Sequence, residues 1–193
     1  MPRVTRRSLL KTTMAAASAS ALHGLLRGSK PFSRVVGAND EVRIGIVGFN
    51  SHGRTHIQGY QAIPKGVRIV ALCDADSEVI QRGVRDFFNG RGEKVDTYSD
   101  IRKLLERNDI DAISGATPNH WHALSTVWAC QAGKDVCVEK PVSHGIWEGR
   151  KMVEAARKYG RMVQADLDRR SEPGAMLALE FVREGNLGRI LRA

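Results

Sequence analysis

From Glu41 onward, short apolar runs alternate with helix-patterned segments, and this alternation constrains the fold more than any other feature of the chain. Strands are expected at Val42–Gly48 (VRIGIVG), Arg68–Asp74 (RIVALCD), Asp111–Thr117 (DAISGAT), Asp135–Lys140 (DVCVEK) and Arg161–Asp166 (RMVQAD). Helices are expected from Gly53 to about Ile63, over DSEVIQRGVRDFFN, over a short DIRKLLERN capped by Ser99, and from Asn119 to Gln131. Two more are expected, over IWEGRKMVEAARKYG up to Gly160 and over PGAMLALEFVREG, while GRGEKVD is read as a loop and GRILRA as the start of a further strand. The strand runs show little period-two alternation, which marks strands buried on both faces of a parallel sheet. Helical crossovers between parallel strands are right-handed, so the expected class is α/β with a doubly wound parallel sheet. No internal repeat is present. Ligands in such sheets bind outside the carboxyl ends of the strands. The functional question therefore moves to residues 48–56, 74–76, 117–122, 139–141 and 165–170.

The first of these ends reads GFNSHGRTH. Gly48, Asn50 and Gly53 hold the three positions of the phosphate-binding fingerprint G-x-G-x-x-G, with Phe49 between the first two. Gly48 would permit the tight turn, and Gly53 the close packing of helix on strand. Asn50 replaces the glycine that lets a pyrophosphate approach the backbone. Asparagine tolerates a left-handed backbone better than other side chains, and its amide can donate to phosphate. A broken fingerprint alone is equally well an ordinary strand–helix loop. Asp74 changes the balance, because it ends the second strand where a carboxylate would accept hydrogen bonds from an adenosine ribose. Its charge would repel a 2′-phosphate, and its neighbours are Ala75 and Asp76 rather than basic residues. NAD is therefore expected in preference to NADP. The alternative for Asp74 is a surface carboxylate closing a strand.

At the next end stand Thr117-Pro118-Asn119-His120-Trp121-His122. Two histidines around a tryptophan suggest a metal, but no further ligand has suitable local spacing, and none is expected. The reading adopted is a loop stiffened by Pro118, with Asn119 capping the helix and His120 or His122 partly open to a pocket. Glu139-Lys140-Pro141 follow the strand DVCV. A strand-end lysine beside a nicotinamide would act as general acid/base or polarise a substrate oxygen, aided by partial burial. The alternative is a Glu–Lys pair at a sheet edge.

Charge bears on partners and on targeting. The formal net charge is +9, but seven basic side chains and no acidic ones fall in residues 1–38, which leaves +2 for the remainder. The body has no basic stripe, and nucleic acid is excluded as a partner. Residues 1–38 begin with Arg6-Arg7-Ser8-Leu9-Leu10-Lys11 and continue TTMAAASASALHGLL. That pattern resembles a twin-arginine (Tat) export signal. The stretch Thr12–Leu26 is short for a membrane span and contains His23. The expectation is a periplasmic or otherwise exported protein with no stable membrane anchor after signal removal. Cleavage would follow Ala17-Ser18-Ala19 or Val36-Gly37-Ala38. Hydrophobic residues make up 42% of the chain, enough for a core. Cys73, Cys130 and Cys137 have no metal-ligand spacing and are expected as buried thiols.

RIGIVGFNSHGRTH, VALCDAD, ATPNHWHALSTVWACQAGKDVCVEKPVSHGIWEGRKMVEAARKYGR and REGNLGRI together resemble the glucose–fructose oxidoreductase / inositol dehydrogenase (Gfo/Idh/MocA) family, in its exported bacterial form. The likeness spans about residues 39–193. It implies an NAD(P)-binding Rossmann domain over 39–170, then the start of a truncated α+β substrate domain over 171–193. It further implies bound NAD, a sugar or cyclitol substrate, and a homo-oligomer in the full-length protein. By the resemblance Lys140 would contact substrate as the catalytic residue. Glu139 and Pro141 would shape the nicotinamide end, Asp74 would hold the ribose, and Asn119, His120 and Trp121 would line the cofactor. Two features depart from the family: Asn50, and QADLDRRS (Gln164–Ser171), where relatives tend to read VGTQxRS. Carboxylates there would alter redox behaviour or cofactor occupancy. The expected activity is hydride transfer from a sugar or cyclitol hydroxyl to nicotinamide, with this chain by itself inactive. The alternatives are an NAD-dependent glycosidase of the same family and a non-catalytic nucleotide-binding fragment.

Overall fold

The computed structural model describes residues 41–189 and 191–192. The expected export signal and both cleavage points lie outside the described residues. The strands are β1 (Val42–Val47), β2 (Val67–Cys73), β3 (Asp96–Tyr98), β4 (Ala112–Gly115), β5 (Asp135–Val138) and β6 (Val163–Ala165). The helices are α1 (Gly53–Ala62), α2 (Ser77–Phe87), α3 (Ile101–Leu105), α4 (Asn119–Gln131), α5 (Ile146–Tyr159) and α6 (Pro173–Arg183), with a 3₁₀ turn at Asp168–Arg170. One six-stranded sheet runs in the order β3-β2-β1-β4-β5-β6, and every neighbouring pair is parallel. This is the doubly wound α/β sheet expected from the alternation. Among the described residues, no helix is long and apolar enough to cross a membrane.

Successive strand residues point to opposite faces. Ile44 and Ile46 accordingly enter one apolar cluster and Val47 another. The first cluster takes Ile57 from α1 and Val79 and Phe87 from α2. The second takes Leu104 and Leu105 from α3, Ala129 and Cys130 from α4, and Met152 and Ala155 from α5. The sheet is thus covered by different helices on its two faces, and its central strands have no solvated side. Burying each of Ile46, Ile57 and Leu72 contributes about 1.5–3 kcal/mol.

Several details differ from expectation. GRGEKVD runs into β3, whose residues Asp96, Thr97 and Tyr98 are exposed or half-buried and so carry no apolar signal. Asp100, not Ser99, caps α3, its carboxylate accepting from the Arg102 N–H at 2.9 Å. Pro118 precedes α4 and Asn119 is its first helical residue, without a side-chain cap. Residues 188, 189, 191 and 192 are in no strand. Gly160 ends α5 in the left-handed conformation, φ 62°.

Cys73 and Cys130 are buried, and burial pushes their thiols up to about 12 and about 11. Only the thiolate reacts with alkylating agents. In mildly alkaline buffer neither thiol is expected to be modified by iodoacetamide until denaturant is added. Mass spectrometry after a timed quench checks this, and rapid native alkylation of Cys73 would contradict its place in the core.

Candidate functional site

The strand ends are joined in a row. The N–H of Asp74 donates to Tyr98 O, that of Gly48 to Cys73 O, and that of Ala116 to Val47 O, at 3.1, 2.8 and 2.9 Å. Glu139 N–H donates to Gly115 O at 3.0 Å, and Asp166 N–H to Val138 O at 2.8 Å. The sheet ladder therefore continues one residue past the strands and fixes Asp74, Gly48, Ala116, Glu139 and Asp166 in that spatial order.

The turn after β1 behaves as its glycines require. Gly48 has φ 76°, and a β-carbon there would lie 2.9 Å from the Thr117 backbone. A β-carbon on Gly53 would lie 2.1 Å from Gly48 O, so the first turn of α1 rests directly on the strand end. Among the described residues no residue other than glycine has positive φ, so Asn50 does not replace the missing glycine by a left-handed backbone. Its carbonyl oxygen instead accepts from Arg82 at 3.1 Å, which leaves its NH₂ as donor. The Phe49 side chain is 1% exposed and packs in the core, against Gly83, where a β-carbon would meet the ring at 2.4 Å. Phe49 thus contributes to the site through its backbone alone. No side chain caps α1, whose N-terminal N–H groups carry the positive end of the helix dipole.

A pocket of about 560 Å³ opens at this turn. Its walls include Val47, Gly48, Thr117, Pro118, Trp121 and Ile101, with Asp74 among the lining residues. Asp74 Oδ2 accepts the Phe49 N–H at 3.0 Å and Oδ1 accepts the Asp76 N–H at 3.1 Å. Each oxygen keeps a lone pair for a further donor. The buried Thr117 Oγ1 has no hydrogen-bond partner. Unpaired buried hydroxyls are uncommon, and this one belongs to a residue of the pocket wall but is itself closed to solvent. A largely apolar slot with a carboxylate at its end fits the adenosine half of a dinucleotide. Ser99, Asp100, Arg102, Ser125 and Trp128 also line it and were not foreseen from the sequence. The Arg102 hydrogen bond holds the Asp100 carboxyl down at about 2.

The other expected residues lie along the row. Asn50, Gly53, Asn119, His120, Glu139, Lys140 and Pro141 are not in the wall of this pocket. His120 is exposed, and His122, at 1% exposure, is fully buried rather than open to the pocket. His122 Nδ1 is 2.7 Å from Pro141 O and Nε2 is 2.7 Å from Thr117 O, so the ring staples the segment after β4 to that after β5. Glu139 is buried, and its Oε2 accepts the Lys140 N–H at 2.9 Å. The Lys140 side chain is 62% exposed, against the partial burial expected, with Nζ 3.8 Å from Glu139 Oε2. The pair is not at a sheet edge, because β6 lies outside β5. The Lys140–Pro141 peptide is cis.

A cluster unseen in the sequence gathers on Glu139. Its Oε1 is 2.9 Å from His52 Nε2 and 3.2 Å from His56 Nε2. Asp166, from the segment that departs from the expected pattern, places Oδ2 3.5 Å from His56 Nε2. The only local signal was His52 and His56, four residues apart at the start of a helix.

Comparison with known proteins identifies the family. Residues 42–167 match the Gfo/Idh/MocA family, described as an oxidoreductase family with an NAD-binding Rossmann fold. Among curated relatives, a glycosyl hydrolase family 109 protein of Saccharopolyspora erythraea is 30% identical over 204 residues, covering 97% of this chain and 44% of the relative. The chain thus spans less than half the length of that relative. Myo-inositol 2-dehydrogenase of Lactobacillus plantarum superposes with TM-score 0.69 at 25% identity, over 78% of this chain and 43% of that one. The WlbA dehydrogenase of Bordetella pertussis, solved with NADH and UDP-GlcNAcA, gives TM-score 0.68 at 25% identity, over 78% and 44%.

Proposed function

The chain belongs to the Gfo/Idh/MocA family of NAD-binding oxidoreductases, and from that premise we propose that it serves the oxidation of a sugar or cyclitol hydroxyl. The observation that carries the reading is the row of strand ends. A dinucleotide lies across such a row. Asp74 and the pocket take its adenosine end, and Glu139 with Lys140 stand further along the sheet. Bound NAD supplies the hydride acceptor. The exposed Lys140 amine is placed to hydrogen-bond a substrate oxygen and to relay its proton, while Glu139 holds the Lys140 N–H and so fixes the backbone beneath it. The inositol and UDP-sugar named for two similar structures support a polyhydroxylated substrate.

The curated relative named as a glycosyl hydrolase favours a second reading, in which oxidation is transient and the cofactor is recycled. Net NADH formation with free inositols and hexoses supports the dehydrogenase. Hydrolysis of a chromogenic glycoside without net NADH supports the glycosidase, and NAD binding with neither activity leaves a nucleotide-binding module.

Lys140→Met separates chemistry from binding. General acid–base groups contribute roughly 10²–10⁴-fold, so turnover by the full-length protein is expected to fall by roughly 10²-fold or more. NAD affinity by calorimetry should stay unchanged, because Lys140 is outside the adenosine pocket. Undiminished turnover would remove Lys140 from the reaction.

A further inference from the structure

What the cluster on Glu139 can hold turns on the tautomer of His56. His56 Nδ1 is 2.8 Å from the buried Ser114 Oγ, which can accept its proton. In that tautomer Nε2 carries a lone pair, and it faces two carboxylate oxygens, Glu139 Oε1 at 3.2 Å and Asp166 Oδ2 at 3.5 Å. His52 Nε2 approaches the same Glu139 oxygen at 2.9 Å. In that tautomer three acceptor atoms, His56 Nε2, Glu139 Oε1 and Asp166 Oδ2, converge with no hydrogen among them, and a cation would join them. Lys140 is not that partner, since its Nζ lies 3.8 Å from the other Glu139 oxygen, Oε2.

We propose that His52, His56 and Glu139, with Asp166 as an additional oxygen, bind a divalent first-row transition cation such as Zn²⁺. The ligand atoms of the first three all lie within 4.8 Å of one another. Bonds of about 2.0–2.1 Å to nitrogen and oxygen give a tetrahedral edge of about 3.3 Å. The separations of 2.9, 3.2 and 3.5 Å bracket that edge. Imidazole and carboxylate are the ligand types that zinc takes. The Ser114 hydroxyl supplies the outer hydrogen bond that orients a ligating imidazole. His56 and Glu139 are buried with 6% and 8% side-chain exposure, while His52 is 49% exposed and gives the ion a way in.

The test uses the full, tag-free chain, stripped with a chelator and titrated separately with Zn²⁺ and Co²⁺. One ion per chain is expected, with the intense visible bands of tetrahedral Co²⁺. His52→Ala removes a ligand at an exposed position that makes no side-chain cap, so the variant should fold. Its Zn²⁺ affinity should fall at least about tenfold. His56→Gln and Glu139→Gln should fall further. His120→Ala and His144→Ala, at exposed sites elsewhere, should bind as the parent does. The proposal is overturned if the folded parent binds neither ion. It is equally overturned if His52→Ala binds Zn²⁺ as tightly as the parent, since a proton on His56 would then be what joins the cluster.

Discussion

Asp74→Ala is expected to lose NAD binding by roughly 100-fold or more in calorimetric titration. A hydrogen bond to a charged group contributes about 1.5–3 kcal/mol, and a carboxylate that accepts from both hydroxyls of a ribose loses two at once. The same substitution removes the acceptor for the Phe49 and Asp76 N–H groups, which costs about 1–3 kcal/mol of stability. Asp74→Asn keeps one acceptor oxygen for the turn and separates the two effects. With the negative charge gone, NADP should gain on NAD in both variants, because the repulsion of a 2′-phosphate is relieved. A folded Asp74→Ala protein that still binds NAD as the parent does would move the adenosine site elsewhere.

Gly53→Ala is expected to be among the most damaging single-methyl additions in the chain. Its β-carbon would sit 2.1 Å from Gly48 O and 3.0 Å from Phe49 Cβ. Neither neighbour can yield, because Gly48 is held by the Cys73 carbonyl and the Phe49 side chain is in the core. Overpacking costs about 1–3 kcal/mol, which lowers Tm by roughly 2–12 °C for a chain of this size. Gly59 lies in the same helix with nothing within 4 Å of its β-carbon position. Gly59→Ala should therefore raise stability by roughly 0.5–1 kcal/mol. Thermal melts of the pair give opposite signs if α1 seats on the β1 turn through Gly53. Equal melts would mean that the close approach does not hold in solution.

What the sequence made legible was what is encoded locally. Gly48 and Gly53 are needed by the geometry of one turn, and Asp74 by its place at the end of a strand. The apolar runs of β1, β2, β4 and β5 announce burial on both sides. β3 escaped notice because it pairs on one side only and offers Asp96 and Thr97 to solvent. The cluster of His52, His56, Glu139 and Asp166 escaped because its members come from three separate segments, joined only when β1, β4, β5 and β6 are in register. The exposure of Lys140 and the burial of His122 could not be read from neighbours in sequence either. Each depends on where a side chain points after its loop has closed.

The position of β1 has a consequence for synthesis. Among the described residues it is the first strand made, and it stands between β2 on one side and β4 on the other; Ile44 waits for Ala112. Ribosomes add about 5–20 residues per second, so this gap lasts roughly 3–14 s. Throughout it the nascent chain can build only the half-sheet β3-β2-β1, whose open margin is the bare backbone of VRIGIV. An unpaired apolar margin is a template for pairing with other chains. Translation that stalls before Gly115 thus leaves a fragment with its stickiest strand exposed, whereas each residue added through β4 closes that margin from within.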